Sequence, residues 1–323
     1  MRMKKKDSES EDESFLFIKS LESGDLKLLR SISKSDLHNH GMMGGRLQTM
    51  GKICGTKLER FKAGNQGILD INQWISNVYR PLLVQPIVFE NAMKAAFLQA
   101  KHDGVTLLEM SIDVYIGQLL KISPGEIITI LERIHNTIAP EIEFRPELGF
   151  NRTFSVRSLL SAFEPFLEYN YFKTIDLYDD ESAQPVKNFR ELYLFAKKHG
   201  FKCKAHAGEF GNADSVKEAV ELLELDAVQH GIGAADSHEL MKWLADNKIR
   251  LNVCPASNIG LRRIKSYKTH PIRILFDNGV KVTVNTDDVM LFNMGNSEQF
   301  LQLFKSGLFK ADELNEIRLN GMS

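Results

Sequence analysis

From residue 14 to residue 32 apolar side chains recur at helical spacing, and beyond that the pattern changes to short apolar runs separated by amphipathic stretches. This alternation predicts parallel βα units. Strands are expected at 35–40, 105–111, 143–150, 174–177, 202–206, 227–230, 250–254 and 281–285, and eight is the number that closes a barrel. The expected fold is α/β, a single (β/α)8 TIM-type barrel over 14–323, with residues 1–13 as a disordered, charged N-terminal tail. The helices carry their own punctuation. Ser123-Pro124-Gly125-Glu126 reads as an N-cap, a Pro preformed for the first turn and a capping-box acid, opening a helix to about Ala139. A helix over 186–199 closes on Gly200, which tolerates the left-handed conformation that ends helices. Stretches 237–247 and 271–278 follow the same rhythm, and His270-Pro271 reads as a helix start rather than a ligand.

One connection breaks the pattern. Between His40 and Glu90 lie 49 residues (41 to 89), rich in glycine, where a βα loop needs only a few. Long insertions on the C-terminal face of a barrel are lids or binding loops, and Trp74 and Tyr79 are expected to give this one a small core.

Composition narrows the partners. The chain is 43% hydrophobic, enough for a sizeable core, and 41 Lys and Arg against 42 Asp and Glu leave a formal charge of −1. No global field favours a nucleic acid polymer or an anionic membrane surface. Cys54, Cys203 and Cys254 are few and far apart, so a disulfide framework is not indicated and a reducing, cytoplasmic setting is expected. No apolar run behind the charged start resembles a secretory core or a membrane span.

The chemistry gathers at strand ends. His38-x-His40 closes the first expected strand, where a period of two puts both imidazoles on one face. His206 ends the fifth strand, His230 the sixth, and Asp287-Asp288 follows the eighth. Barrel enzymes place their catalytic groups at these C-terminal ends. Lys204 shares the inward parity of His206 and needs a partner there; Asp36 and Glu109 are the candidates.

The succession Asp36-Leu-His-Asn-His40, His206-Ala-Gly-Glu209, His230-Gly231, Cys254-Pro-Ala-Ser-Asn258 and Thr286-Asp-Asp288 resembles the adenosine deaminase family in order and spacing, from about Ser35 onward. The resemblance implies one Zn2+ held by His38, His40, His206 and Asp287, with Glu209, His230 and Asp288 as catalytic residues around a small purine substrate. Such an ion brings a bound water's pKa toward neutrality and so supplies hydroxide. Glu209, three residues beyond a ligand, is placed to protonate the ring nitrogen beside the attacked carbon. His230 orients the water, Asp288 holds water and ring, and Gly208 lets backbone approach the base.

Two stretches depart from the family pattern. After the second His, nucleoside-acting relatives carry an acid for a sugar hydroxyl, whereas this chain reads Gly41-Met42-Met43-Gly44-Gly45-Arg46. Asp179-Asp180-Glu181-Ser182 stands where Ala-Gly-Asp is usual and looks more like the AMP deaminase branch. Arg46, at the end of a Gly-rich turn, and Asp179 are therefore expected as substrate-binding residues, Arg46 toward a phosphate. The expected activity is hydrolytic deamination of a 6-aminopurine nucleoside. Deamination of a nucleotide or N6-modified purine is the nearer alternative, and a catalytically silent metal-binding barrel the more distant one.

Overall fold

The computed structural model describes residues 2–83 and 85–322. Its strands are β1 (Lys34–Asp36), β2 (Val105–Asp113), β3 (Glu143–Asn151), β4 (Thr174–Tyr178), β5 (Lys202–Ala207), β6 (Ala227–His230), β7 (Arg250–Val253) and β8 (Val282–Val284). They form one parallel sheet in chain order, a (β/α)8 barrel. Between β8 and β1 the ring closes through single contacts: Asp287 N–H donates to His38 O (2.9 Å), and Leu37 N–H donates to Asn285 Oδ1 (2.8 Å). Among the described residues no helix is long and apolar enough to cross a membrane.

The elements form where local chemistry demands them. Helix Pro124–Ile138 starts with a complete capping box between Ser123 and Glu126, which satisfies two N–H groups that the first turn leaves open. Helix Arg190–Lys198 ends ahead of Gly200, whose φ of +81° takes the chain back toward β5. Helix Arg2–Ser23 runs through residues 2–13, because that stretch holds neither Gly nor Pro and its second half is anchored by buried Phe17 and Leu21.

The barrel floor is polar and hydrogen-bonded. Asn252 Nδ2 donates to Gln229 Oε1 (2.8 Å), Thr283 Oγ1 to Asn252 Oδ1 (3.1 Å) and Asn285 Nδ2 to Thr283 Oγ1 (2.9 Å). Lys204 points inward and is almost wholly buried; its ammonium meets Glu109, Glu147 and Leu37 O. Glu109 was expected there. Asp36 is not a partner, since it accepts from Thr286 and Asn39 instead, and Glu147 of β3 takes the second place. Burial pushes both carboxyls up; the Lys204 and Arg250 charges reverse this at Glu109, whereas Glu147 stays at about 8.

The insertion after β1 is built, not loose. It holds helices Leu47–Cys54 and Ile68–Trp74, continued by a wide π turn over Ile75–Tyr79. Trp74 and Tyr79 stack with centroids 6.1 Å apart, and the Tyr79 hydroxyl donates to Met42 O. The next long helix, Pro86–His102, starts at a proline in its first turn. Asn72 Nδ2 donates to Asp179 Oδ1 (3.0 Å), and Arg262 reaches Ala63 O (3.1 Å), so the insertion is tied across the mouth of the barrel.

Candidate active site

A cavity of about 920 Å3 opens at the carboxyl ends of the strands, with His40, His206, Glu209, His230, Asp287 and Asp288 on its floor and the insertion along one side. Strand ends deliver these groups, with one correction to the expected geometry. Strand β1 stops at Asp36, so His38 and His40 lie beyond it. What keeps them on one side is a pair of bridges, Asn39 to Asp287 and His40 to Ser111, which extend the strand's direction without its regular ladder.

The imidazoles are oriented from behind. His40 Nδ1 lies 3.1 Å from Ser111 Oγ, and His38 Nδ1 lies 3.5 Å from Asn252 O with Cys254 Sγ at 3.3 Å. Their Nε2 atoms therefore face inward, toward Asp287 Oδ1 at 3.5 Å from His38 and 3.2 Å from His40. Donors sharing a tetrahedral ion at about 2.0–2.2 Å lie about 3.3–3.6 Å apart. The spacing fits an ion between them. His38, His40 and His206 each offer a nitrogen within 4.8 Å of the others. Buried Nε2 atoms of His38 and His206 have no hydrogen-bond partner, which is costly unless a cation takes them. His206 Nε2 lies 3.3 Å from Asp176 Oδ2 but out of hydrogen-bond alignment, so the acid adds charge rather than a bond. The donor set, imidazoles with a carboxylate, suits zinc.

Charge is crowded at this floor. Burial raises the Asp287 carboxyl, but the imidazoles of His38, His40 and His230 outweigh it and hold Asp287 well below the usual range. Burial and the Asp287 charge push Asp288 up to about 8, and burial with Asp287, Glu181 and Asp288 pushes Glu209 well above the carboxylate range. Asp287 thus keeps its charge, as a ligand must, while Glu209 and Asp288 both lean toward the neutral form.

His230 is held in one tautomer by a buried relay. The N–H of Ile272 donates to His270 Nδ1 (3.1 Å), so neutral His270 carries its proton on Nε2 and gives it to Asn258 Oδ1 (3.2 Å). The Asn258 amide then donates to His230 Nδ1 (3.2 Å). That leaves the His230 proton on Nε2, facing Glu209 Oε2 at 3.5 Å. Burial pulls both histidines down to about 3. Two floor residues adopt left-handed backbone without being glycine, His230 at φ +62° and Asp287 at φ +58°. Such strain costs about 1–3 kcal/mol each and collects where side chains must be aimed.

The expected substrate residues fare differently. Arg46 is not among the cavity's lining residues; it precedes helix Leu47–Cys54 and its side chain binds Glu298, Gln99 Oε1 (3.0 Å) and Asn293 O (3.2 Å). The Gly-rich turn packs inward, with a Cβ on Gly45 meeting Ala95 at 2.5 Å, so it forms no phosphate cradle. Asp179 does line the cavity, yet its oxygens are taken by Asn72 and by Asn151 Nδ2 (2.6 Å). Gly208 does not line it. Its φ is +69°, a Cβ would meet Val216 at 2.3 Å, and its N–H donates to Glu181 Oε2 (2.8 Å). Glu181 was missed as a positioning group: its carboxylate also accepts from the N–H of Glu209 (2.7 Å) and Phe210 (2.9 Å), fixing the turn that carries Glu209. Its only trace in the sequence was the acidic run after β4.

Imidazoles and carboxyls converging at the carboxyl ends of eight parallel strands define a barrel with a candidate metal centre where barrel enzymes carry their sites. A family model described as adenosine deaminase matches residues 151–323. The putative adenosine/adenine deaminase of Treponema pallidum (strain Nichols) is 31% identical over 284 residues, 88% of this chain and 95% of that protein. The chain belongs to the adenosine deaminase family. Among solved structures, the adenine deaminase from Arthrobacter aurescens superposes with a TM-score of 0.78 at 22% identity, covering 90% of this chain and 92% of its own. An amidohydrolase from Burkholderia ambifaria with bound Zn gives the same TM-score at 23% identity, covering 91% and 85%. These two likenesses concern the fold.

Proposed function

We propose that the protein is a zinc-dependent aminohydrolase that converts a 6-aminopurine nucleoside, adenosine or a close relative, to the 6-oxo compound and ammonia. The observation that carries this reading is the meeting of unpartnered buried imidazole nitrogens and Asp287 with two carboxyls of raised pKa, Glu209 and Asp288. His38, His40, His206 and Asp287 hold the ion, which when bound brings water to an activated state at neutral pH. Glu209, protonated in its buried turn, gives its proton to the ring nitrogen beside the attacked carbon. His230 presents Nε2–H to the charge that develops on the attacking oxygen. With an ion on Asp287 offsetting the charge that raises it, Asp288 is ionised, holds the incoming water and takes a proton from it. Oxygen bonds to the ring carbon, Asp288 passes the water proton to the amine, the carbon–nitrogen bond breaks to release ammonia, and the remaining hydroxyl proton returns to Glu209 as the 6-oxo group forms.

Charge favours a nucleoside over a nucleotide. Outside the metal floor Asp113 and Asp179 line the cavity, and among the described lining residues Arg80 is the single Lys or Arg. A phosphate entering there meets repulsion with little to offset it. The test is ammonia release from adenine, adenosine, deoxyadenosine, AMP and N6-substituted analogues, with metal content measured on the same sample after dialysis. Turnover of adenosine by a zinc-loaded chain is expected. An active chain free of metal would overturn the site assignment, and turnover of AMP alone would overturn the nucleoside choice.

A further inference from the structure

The cavity is larger than its floor requires. At about 920 Å3 it stands near the top of the roughly 300–1,000 Å3 range of small-molecule sites. The reacting carbon must lie against His230, Glu209 and Asp288, so whatever the purine carries at its far end extends toward the mouth. There one stretch of the wall is apolar, with Gln118, Thr153 and Ser158 beside it. Tyr115, Ile116 and Leu119 come from the segment after β2, and Phe154 from the turn after β3. Leu119 and Phe154 are 39% and 40% exposed, large apolar side chains open to the cavity. Tyr115 and Phe154 lie with ring centroids 4.6 Å apart, forming one aromatic face. Met42 and Met43, one glycine beyond His40, also line the cavity.

Exposed apolar surface lining a cavity is stabilised when a ligand covers it. Asp113 and Asp179 disfavour an anionic group, and donors that might have met one are already engaged: the Asn72 and Asn151 amides with Asp179, and the Tyr115 hydroxyl with Ser158.

Resting on the deaminase reading, we infer that the outer compartment takes an uncharged, apolar 5′ substituent, so that the preferred substrates are 6-aminopurine nucleosides bearing an alkyl or alkylthio group at that carbon. The Tyr115–Phe154 face and Leu119 cover the substituent, while the floor performs the same hydrolysis on the base.

The experiment compares kcat/KM of the zinc-loaded enzyme for adenosine, 5′-deoxy-5′-methylthioadenosine, its 5′-butylthio homologue and AMP. Each apolar increment in a fitting pocket is worth about 10-fold or more, so the alkylthio compounds should exceed adenosine by at least that factor, with AMP below it. Leu119→Ser and Phe154→Ser, at partly exposed positions that leave the core intact, should bring the alkylthio-to-adenosine ratio toward one. Ammonia from adenosine with no gain from the alkylthio group, or a ratio unmoved by both variants, overturns the inference alone. No ammonia from any of the four compounds overturns the deaminase reading and the inference with it.

Discussion

Replacing Glu209 by Gln separates chemistry from metal binding and from folding. The side chain is buried, its Oε1 has no hydrogen-bond partner, and its Oε2 stands 3.5 Å from His230 Nε2. Burial and three neighbouring acids already favour the neutral carboxyl, so an amide of the same shape changes neither charge nor packing. The turn is set by backbone contacts to Glu181, which the substitution leaves in place. Stability should therefore change by less than about 1 kcal/mol, the size of one neutral hydrogen bond. Turnover should fall about 10²- to 10⁴-fold, or about 2.7–5.4 kcal/mol in the barrier, because an amide has no proton to give the ring nitrogen. Ammonia release, thermal unfolding and elemental analysis on one preparation read all three quantities. Asp287→Ala provides the contrast, losing metal and turnover together, since it removes a carboxylate shared by His38 and His40. If Glu209→Gln keeps turnover within a few-fold at full metal content, Glu209 is not the proton donor, and His230 becomes the group to test.

Other parts of the molecule give sharp expectations. Lys204→Met strands Glu109 and Glu147 without their ammonium; breaking a buried pair from one side costs about 3–5 kcal/mol, and denaturant unfolding measures it. A smaller loss would show that water or Arg250 already serves those carboxylates. Arg46→Met should cost about 1–3 kcal/mol through its charge-assisted bonds to Glu298 and Asn293 while leaving the KM ratio of AMP to adenosine unchanged; a selective rise for AMP would return Arg46 to substrate binding. Lys34 is buried, with its ammonium on Leu29 O (2.6 Å) and Ile32 O, and burial lowers its pKa from 10.5 to about 7. Between pH 7 and 10 the unfolded chain then binds the extra proton, so this group makes stability rise with pH, by at most about 1.4 kcal/mol per unit. Lys34→Met should remove that slope, and an identical pH dependence in the two proteins would show that Lys34 stays charged when folded.

The sequence by itself determined the barrel and the floor of the site. Strands such as β2, β6 and β8 lie in short apolar runs, and the helix starting at Ser123 is written in adjacent residues, so local propensity and burial suffice to read them. The floor was legible because parallel strands deliver their carboxyl ends to one face, whatever the packing behind them. Thus His206 and His230 fall together although 24 residues separate them, with ring centroids 5.0 Å apart. Only the tertiary structure decided the supporting contacts. Arg46 left the site because Glu298, distant in the chain, lies beside its helix. Glu147 reached Lys204 across β4, Glu181 captured the turn after β5, and His270 reached His230 through Asn258. None of these pairings has a period or a spacing. They are fixed by which side chains arrive within about 3 Å once neighbouring strands and loops are packed, and that distance exists only in the folded chain.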